Sequence, residues 1–213
     1  MLCVSIIDND KSKILQILSQ VEMAEIRLDY MNLSTDEFFS IFESHSNLIA
    51  TCRIGNYDDK ARLALLKQAV IAGAAFIDIE IDAPIELVTE LVQFAKDNKC
   101  KVILSYHNTS ETPETSRLTE IIKNSFSKGA DLVKIATTAN SMQDSVRVLS
   151  LYEKHENLVA IAMGEYGRIT RVASLFLGAP FTFVAIDEVS VSAPGQLSKA
   201  EMETIQGILC KKS

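Results

Sequence analysis

Gly129-Ala-Asp-Leu-Val-Lys-Ile-Ala136 holds a lysine inside a run that otherwise has the apolar character of a buried strand. Such runs are typical of parallel sheets, whose strands are covered on both faces. Lys134 is therefore expected to lie away from water. Burial disfavours an ammonium ion and favours a neutral, nucleophilic amine, which can form a Schiff base with a carbonyl substrate. The alternative is a structural lysine paired with a carboxylate.

The same alternation of a short apolar run and a helical pattern occurs eight times along the chain. Strands are predicted at residues 2–7, 23–29, 48–53, 76–82, 101–107, 132–137, 158–163 and 182–186. Helical spacing of apolar residues occurs at 11–20, 60–72, 86–97, 114–128, 142–154 and 198–209. Eight such units predict a single (β/α)8 TIM barrel over residues 1–213. An open doubly wound sheet is the alternative, but the chain lacks its G-x-G-x-x-G turn.

Composition narrows the class of function. The formal net charge of −7 is the wrong sign for a nucleic-acid surface, so a small-molecule substrate is favoured. The first residues have no basic region, and no run approaches 18 apolar residues, so neither secretion nor membrane spanning is expected. The cysteines lack metal-ligand spacing and are interpreted as buried thiols in a reducing cytoplasm, with no metal site and no disulfide. They are Cys3, Cys52, Cys100 and Cys210.

Charged side chains occupy every second position on several strands. Because side chains alternate across a strand, these residues share one face, which points into the barrel if the apolar face meets the helices. The predicted inward set is Glu25, Arg27, Asp29, Arg53, Asp78, Glu80 and Lys134. For Asp29, Asp78 and Glu80, a buried ion-pair network is the favoured interpretation. Arg27 and Arg53 lie toward the carboxyl ends of their strands, where a guanidinium can bind a ligand carboxylate or hydroxyl.

The three histidines differ in their position relative to the strands. His107 ends the strand before the one that carries Lys134, so both lie at the catalytic face and are placed for acid–base chemistry. His45 and His155 precede strands, which places them at the opposite end of the barrel. These two are interpreted as surface residues.

Six short motifs, in this order, make the chain similar to the type I 3-dehydroquinate dehydratases of the shikimate pathway. The motifs are Glu25-Ile-Arg27-Leu-Asp29, Thr51-Cys-Arg53, Ser105-Tyr106-His107, Lys134-Ile-Ala136, Met163-Gly164 with Gly167 and Arg171, and Ser192-Ala-Pro-Gly-Gln196. Their order along nearly the whole chain makes the resemblance specific.

The resemblance implies a barrel enzyme that converts 3-dehydroquinate to 3-dehydroshikimate without a metal or organic cofactor, and a homodimer. It also implies roles for eight residues. Lys134 forms the imine and His107 moves protons; Arg171, Ser192 and Gln196 hold the substrate carboxylate; Glu25, Arg27 and Arg53 bind the ring hydroxyls.

One segment departs from the pattern of the family. Many members carry a Glu-Gly-Gly shortly after the arginine of strand 3, and that glutamate helps to orient the catalytic histidine. This chain has Ile54-Gly-Asn-Tyr-Asp-Asp59 there. Asp58, Asp59 or Glu80 are the candidate substitutes.

Two other functions remain as alternatives at this point. A class I aldolase or transaldolase would also carry a lysine on a strand, although Arg171 and the Ser192-Ala-Pro-Gly-Gln196 segment favour a carboxylated ring substrate. A barrel that binds a shikimate-type ligand without turning it over is the second alternative. A direct dehydration assay separates all three.

Overall fold

Strands and helices alternate through the computed structural model, which describes residues 1–210. The strands are β1 (Leu2–Ile6), β2 (Ala24–Arg27), β3 (Leu48–Thr51), β4 (Phe76–Glu80), β5 (Lys101–Asn108), β6 (Leu132–Thr138), β7 (Leu158–Met163) and β8 (Thr182–Val184). The helices are α1 (Lys11–Leu18), α2 (Thr35–Glu43), α3 (Asp59–Ile71), α4 (Ile85–Asp97), α5 (Thr115–Ser127), α6 (Met142–Leu149), α7 (Arg168–Phe176) and α8 (Lys199–Leu209). The predicted boundary at residue 213 lies outside the described residues.

All neighbouring strands run parallel, in the order β8, β1, β2, β3, β4, β5, β6, β7. The sheet is a nearly closed barrel, because no ladder joins β7 to β8 within residues 1–210. The predicted single (β/α)8 TIM barrel is thereby confirmed.

Side chains satisfy the edge of β7 where a ladder to β8 is missing. The hydroxyl of Tyr152 accepts a hydrogen bond from the backbone N–H of Ala160 at 2.7 Å and donates to its carbonyl at 3.1 Å. Two residues further along β7, the N–H of Ala162 donates to Oγ1 of Thr170 at 2.8 Å. A strand edge normally leaves such groups open to another strand. Along the seam between β7 and β8, these edge groups of β7 are therefore satisfied by side chains.

The barrel interior has two chemically different parts. Toward the amino-terminal ends of the strands it is filled with apolar side chains, as is usual for this fold. Members of this cluster include Cys3, Met23, Ile49, Ile103, Leu132, Val159 and Phe181. The predicted inward charges occupy only the carboxyl-terminal part. Their apolar partners on the outward strand faces, such as Ile26, Ile77 and Ile79, pack in the core beneath the helices as predicted.

Local sequence signals explain where several helices begin and end. Ser198 and Glu201 form a capping box at the start of α8. Gly73 follows α3, and Gly129 follows α5, each with a φ of +98°. This left-handed conformation is the usual reason for a glycine after a helix.

Some sequence predictions need correction. Predicted strands 2 and 3 are too long, because Leu28–Tyr30 forms a 3-10 turn and β3 ends at Thr51. Asp29 therefore lies outside β2, where it pairs with Arg27. Cys210 is exposed rather than buried, because it follows α8 at the surface.

The histidines at the floor of the barrel are also less exposed than predicted. His45 is half-buried, and its ring lies between the carbonyl of Val21 at 3.0 Å and the N–H of Asn47 at 3.1 Å. His155 has a buried Nε2 atom. Both do lie before strands, at the end of the barrel opposite His107. None of the helices within residues 1–210 has the length and apolar character needed to cross a membrane.

Candidate active site

A cavity of about 310 Å³ opens at the carboxyl ends of the strands. All eight predicted site residues line it, and they come from β2, the end of β3, β5, β6, α7 and the loop after β8. The lining comprises Ser5, Glu25, Arg27, Arg53, Glu80, His107, Thr109, Lys134, Ala136, Ile161, Met163, Arg171, Phe183, Ser192, Ala193, Pro194 and Gln196. The structure thus brings the predicted residues together, while the roles assigned to them stay predictions.

Lys134 stands in the middle of β6 with its side chain only 8% exposed. Its Nζ atom lies 3.2 Å from Oδ2 of Asp78 and 3.7 Å from Oε1 of Glu25. The two interpretations of this lysine are therefore not exclusive, because the amine is paired with carboxylates and also faces the cavity.

Glu25 is a buried carboxylate held by two hydroxyl groups. Oγ of Ser5 donates to one oxygen and Oγ1 of Thr51 to the other, each at 2.8 Å. Burial by itself would raise the pKa of Glu25, but the positive charge of Lys134, followed by those of Arg27 and Arg53, outweighs it and lowers the pKa. Glu25 is therefore an anion beside the lysine.

Asp78 lies beneath the cavity and accepts hydrogen bonds from Arg53, Ser105 and Lys134. Arg53 donates to both of its oxygens, at 3.0 and 2.6 Å, and Oγ of Ser105 donates to Oδ1 at 2.6 Å. Burial would raise the pKa of Asp78, but Arg53 and then Lys134 hold it far below the usual range. This carboxylate fixes the positions of Arg53 and Lys134, as the predicted ion-pair network requires.

The two strand-end arginines are both committed to carboxylates. Arg27 forms a two-point ion pair with Asp29, and its guanidinium lies 4.8 Å from the centre of the Tyr30 ring. Arg53 is held by Asp78 in the same two-point manner. Both still line the cavity, so each presents a fixed guanidinium edge to a ligand.

His107 reaches the cavity from β5, and its ring has no hydrogen-bond partner in the described part of the chain. Burial, and then the charges of Arg53 and Lys134, hold the pKa of His107 well below its usual value. Its Nδ1 atom is buried and makes no hydrogen bond among residues 1–210. His107 is therefore a neutral imidazole, the form that accepts a proton.

None of the three candidate carboxylates hydrogen-bonds to His107. Asp58 caps α3 by accepting from the N–H of Ala61 at 2.8 Å. Arg62, which is fully buried, donates to Asp59 and to Glu80, at 2.9 Å in each case. Glu80 alone of the three lines the cavity. Its ion pair with Arg62 agrees with the structural role favoured from the sequence.

Arg171 is a buried cation that has no counter-ion within residues 1–210. It is 1% exposed, its Nε atom has no partner, and Nη2 reaches only the carbonyl of Pro194 at 3.3 Å. No carboxylate in the described part of the chain pairs with it. Burial lowers the pKa of Arg171 to about 10, so the group remains charged at neutral pH. Buried charges are normally paired, so this one is available to an anionic ligand.

The loop after β8 closes over Arg171. The N–H and Oγ of Ser192 donate to Oε1 of Gln196, at 2.8 and 2.9 Å. Gly195 has a φ of +74°, and a Cβ atom there would lie 2.6 Å from the carbonyl oxygen of Gly164. A larger residue would push this loop away from the loop after β7. The glycines of the two motifs therefore allow Ser192, Gln196 and Arg171 to come together.

Four cavity residues were missed from the sequence, namely Ser5, Thr109, Ile161 and Phe183. Two of them lie on strands without charged residues: Ser5 alternates with Cys3 on β1, and Phe183 on β8 alternates with Phe181, the residue just before that strand. The alternation of side chains was the available signal for both. It was not used because β1 and β8 lack charged residues.

Comparisons with known proteins agree on one family. Residues 2–212 match the family model described as Type I 3-dehydroquinase. A 3-dehydroquinate dehydratase from Desulfotalea psychrophila is 38% identical over 196 residues, which cover 86% of this chain and 85% of the relative. One from Methanococcus maripaludis strain C5 is 33% identical and covers 96% and 98%.

Solved structures agree with the sequence matches. The type I 3-dehydroquinate dehydratase from Clostridium difficile, with covalently modified comenic acid, superposes with a TM-score of 0.87 at 25% identity, covering 98% of this chain and 91% of that one. The 3-dehydroquinate dehydratase from Aquifex aeolicus gives a TM-score of 0.85 at 25% identity, with complete coverage of both chains.

Proposed function

The chain belongs to the type I 3-dehydroquinase family and is a hydro-lyase of that family, and on this premise we propose that it dehydrates 3-dehydroquinate through a Schiff base on Lys134. The product is 3-dehydroshikimate, and the reaction is the third step of the shikimate pathway. The family membership supports the substrate, and the geometry of the cavity supports the covalent mechanism.

Lys134 attacks the C3 ketone of the substrate, and water leaves as the imine forms. The protonated imine withdraws electrons, so neutral His107 can remove the proton at C2 and leave an enamine. The enamine electrons then expel the C1 hydroxyl, to which His107 returns the proton. Hydrolysis of the product imine restores the lysine. The positive nitrogen is itself the electron sink, so the mechanism includes no metal or organic cofactor.

The observation that carries this proposal is the pairing of two unlike groups in one cavity. Arg171 is a buried guanidinium with no carboxylate partner in residues 1–210, and Lys134 is an amine that faces the same space. A substrate with both a carboxylate and a ketone would satisfy the two groups together. Ser192 and Gln196, hydrogen-bonded to each other, lie at the carboxylate end, and the fixed guanidinium edges of Arg27 and Arg53, with Glu25, line the ring end.

A direct dehydration assay tests the function. Purified protein is mixed with 3-dehydroquinate, and formation of 3-dehydroshikimate is followed with a chelator present. Turnover is expected, because no step depends on a metal ion. A protein that binds the substrate without converting it, or that requires an added divalent ion, would overturn the proposed function.

Arg171→Leu is expected to raise KM for 3-dehydroquinate by about 10²-fold or more, because a buried charge pair with the substrate carboxylate is lost. Arg168→Leu is the matched control. That arginine lies on the same helix, but its side chain is 53% exposed and pairs with Glu201. Steady-state kinetics of the two variants give the answer. If the Arg171→Leu and Arg168→Leu variants had equal KM values, Arg171 would not bind the substrate carboxylate.

The acid side of the pH profile follows from the charges around His107. The lowered pKa of His107 means that it takes up a proton only at lower pH than an ordinary histidine. The pKa values of Glu25 and Asp78 are also lowered, so both carboxylates stay ionised. We expect kcat/KM to stay level from pH 8 down past about 6.5, the reference value for histidine. An acid limb centred at or above that pH would contradict a neutral His107.

We also propose that the chain forms a homodimer through one apolar face of the neighbouring helices α6 and α7. Large apolar side chains are exposed on both helices and just before α7, at Met142, Val146, Tyr166, Ile169 and Phe176. Exposed apolar side chains of this size suit a self-complementary contact between copies. Val146→Asp is expected to yield monomers in sedimentation experiments, whereas Ile71→Asp on α3 is not. A monomeric parent protein would contradict the proposal.

The cytoplasm is the proposed location. The support is chemical, because Cys3, Cys52, Cys100 and Cys210 are all free thiols in the structure. Free thiols persist in reducing compartments. A disulfide found by mass spectrometry in protein isolated under native conditions would contradict this location.

A further inference from the structure

We propose that the ring of Phe183 stabilises the positive charge of the Schiff-base nitrogen on Lys134 during catalysis. The inference rests on the proposed function, because it concerns the cation that the imine mechanism creates. It assigns a chemical role to a residue of β8 that carries no polar group.

The geometry is that of a close cation–π contact. Nζ of Lys134 lies 3.9 Å from the centre of the Phe183 ring. A cation is attracted to the electron-rich face of an aromatic ring within about 6 Å of its centre, and more strongly where water is excluded. Both residues are buried, at 6% and 4% exposure, and both line the cavity. The ring is thus the third group around this nitrogen, after Asp78 and Glu25.

The need for this third group arises when the amine becomes an imine. An ammonium ion has three N–H donors; here one binds Asp78 at 3.2 Å, while Glu25, at 3.7 Å, interacts through its charge. A protonated imine has a single N–H, so it can hydrogen-bond to one acceptor at most. Attraction to a ring face depends on the charge and not on a particular hydrogen. The contact with Phe183 therefore persists in the state in which hydrogen bonding to the nitrogen is weakest.

The ring also differs from the carboxylates in what it cannot do. Asp78 and Glu25 have oxygens that can accept a proton, and loss of the proton from the imine would remove the electron sink. An aromatic ring has no such site. Phe183 can therefore favour the cation without competing for its proton.

Packing holds the ring in place. Phe183 meets Phe181 edge to face, with ring centres 5.4 Å apart and an angle of 82° between the planes. Phe181 in turn meets Phe76, at 6.4 Å and 67°. The three rings belong to the apolar cluster of the barrel interior. The position of Phe183 beneath the nitrogen is therefore set before the substrate binds.

Fluorinated phenylalanines at position 183 test the charge effect at almost constant shape. The series is Phe183→4-fluorophenylalanine, Phe183→3,5-difluorophenylalanine and Phe183→3,4,5-trifluorophenylalanine, in which each fluorine withdraws electron density from the ring face. The enzyme is saturated with 3-dehydroquinate and treated with borohydride, which reduces the protonated imine and not the neutral carbinolamine or enamine. The measured quantity is the rate at which the Lys134 peptide gains the mass of the reduced adduct.

The capture rate is expected to fall stepwise, by about 30-fold for the trifluoro variant, which corresponds to about 2 kcal/mol for a desolvated cation–π contact. The same replacements at Phe181 are the control. That ring packs against Phe183 and not against Lys134, so the rate is expected to stay constant. Phe183→Leu, which removes the ring, is expected to lower the rate at least as far as trifluorination.

The outcomes separate this inference from the proposed function. Capture in the parent enzyme with a constant rate across the Phe183 series overturns the role of the ring and leaves the imine mechanism in place. An equal fall in the Phe181 series means that packing is responsible, and it also overturns the inference. No capture in the parent enzyme overturns the imine mechanism and the inference together.

Discussion

Lys134→Ala is expected to lower kcat for the dehydration of 3-dehydroquinate by a factor on the order of 10⁴ or more, because removal of a covalent nucleophile eliminates the whole reaction path. Borohydride added with the substrate is expected to label the parent protein once, on the peptide that contains Lys134, and to leave the variant unlabelled. Mass spectrometry of the digested protein provides both results.

The lysine controls are chosen by their place in the barrel. Lys101 lies over the Phe76 ring at the floor, and Lys128 follows α5, where it approaches the carbonyl of Ile81. Lys101→Ala is expected to keep full activity. A label on either of these residues would contradict the assignment of Lys134. Because Lys134→Ala also removes a cation from two buried carboxylates, thermal unfolding is measured to show that the variant is folded.

His107→Ala is expected to lower kcat by 10² to 10⁴-fold, the range for loss of a general acid–base group. Imine formation needs the amine of Lys134, so this variant is expected still to be labelled by borohydride with substrate. Loss of turnover with retention of labelling is a pattern that Lys134→Ala does not share. His155→Ala, at the floor of the barrel, is the control. Unaltered turnover in His107→Ala would show that His107 is not the acid–base group of the reaction.

Much of the fold is visible in the sequence because parallel strands and amphipathic helices have different apolar periods. The eight strands occur where they were predicted, and β7 has the predicted boundaries. Errors occur at strand ends, where side chains compete with the ladder. The ion pair between Arg27 and Asp29 accompanies the turn that ends β2, and such contacts carry no periodic signal. The seam at β7 was not predicted, because it depends on Tyr152 and Thr170 from outside the strand.

The shared location of the eight site residues could be predicted from the sequence, because the carboxyl ends of barrel strands meet at one face and because the motifs are specific. The sequence did not show which of these charged side chains form ion pairs with one another. Arg53 pairs with Asp78, whereas Arg171 is left without an anion in residues 1–210, and both are arginines in family motifs. Only the positions of carboxylates in space distinguish them. The contact of Phe183 with Lys134 was likewise hidden, because apolar side chains on β8 resemble ordinary core.

The seam between β7 and β8 also determines how the carboxylate end of the cavity can widen. Arg171 belongs to α7, on the β7 side, and Ser192 and Gln196 belong to the loop on the β8 side. The two sides meet through the carbonyl of Pro194, which accepts from Arg171 and from the N–H of Gly164, each at 3.3 Å. Separating them breaks no ladder between strands in the described chain. The carboxylate end of the cavity therefore lies at the side of the barrel where no ladder joins the strands of residues 1–210, while seven ladders join the other neighbouring strands.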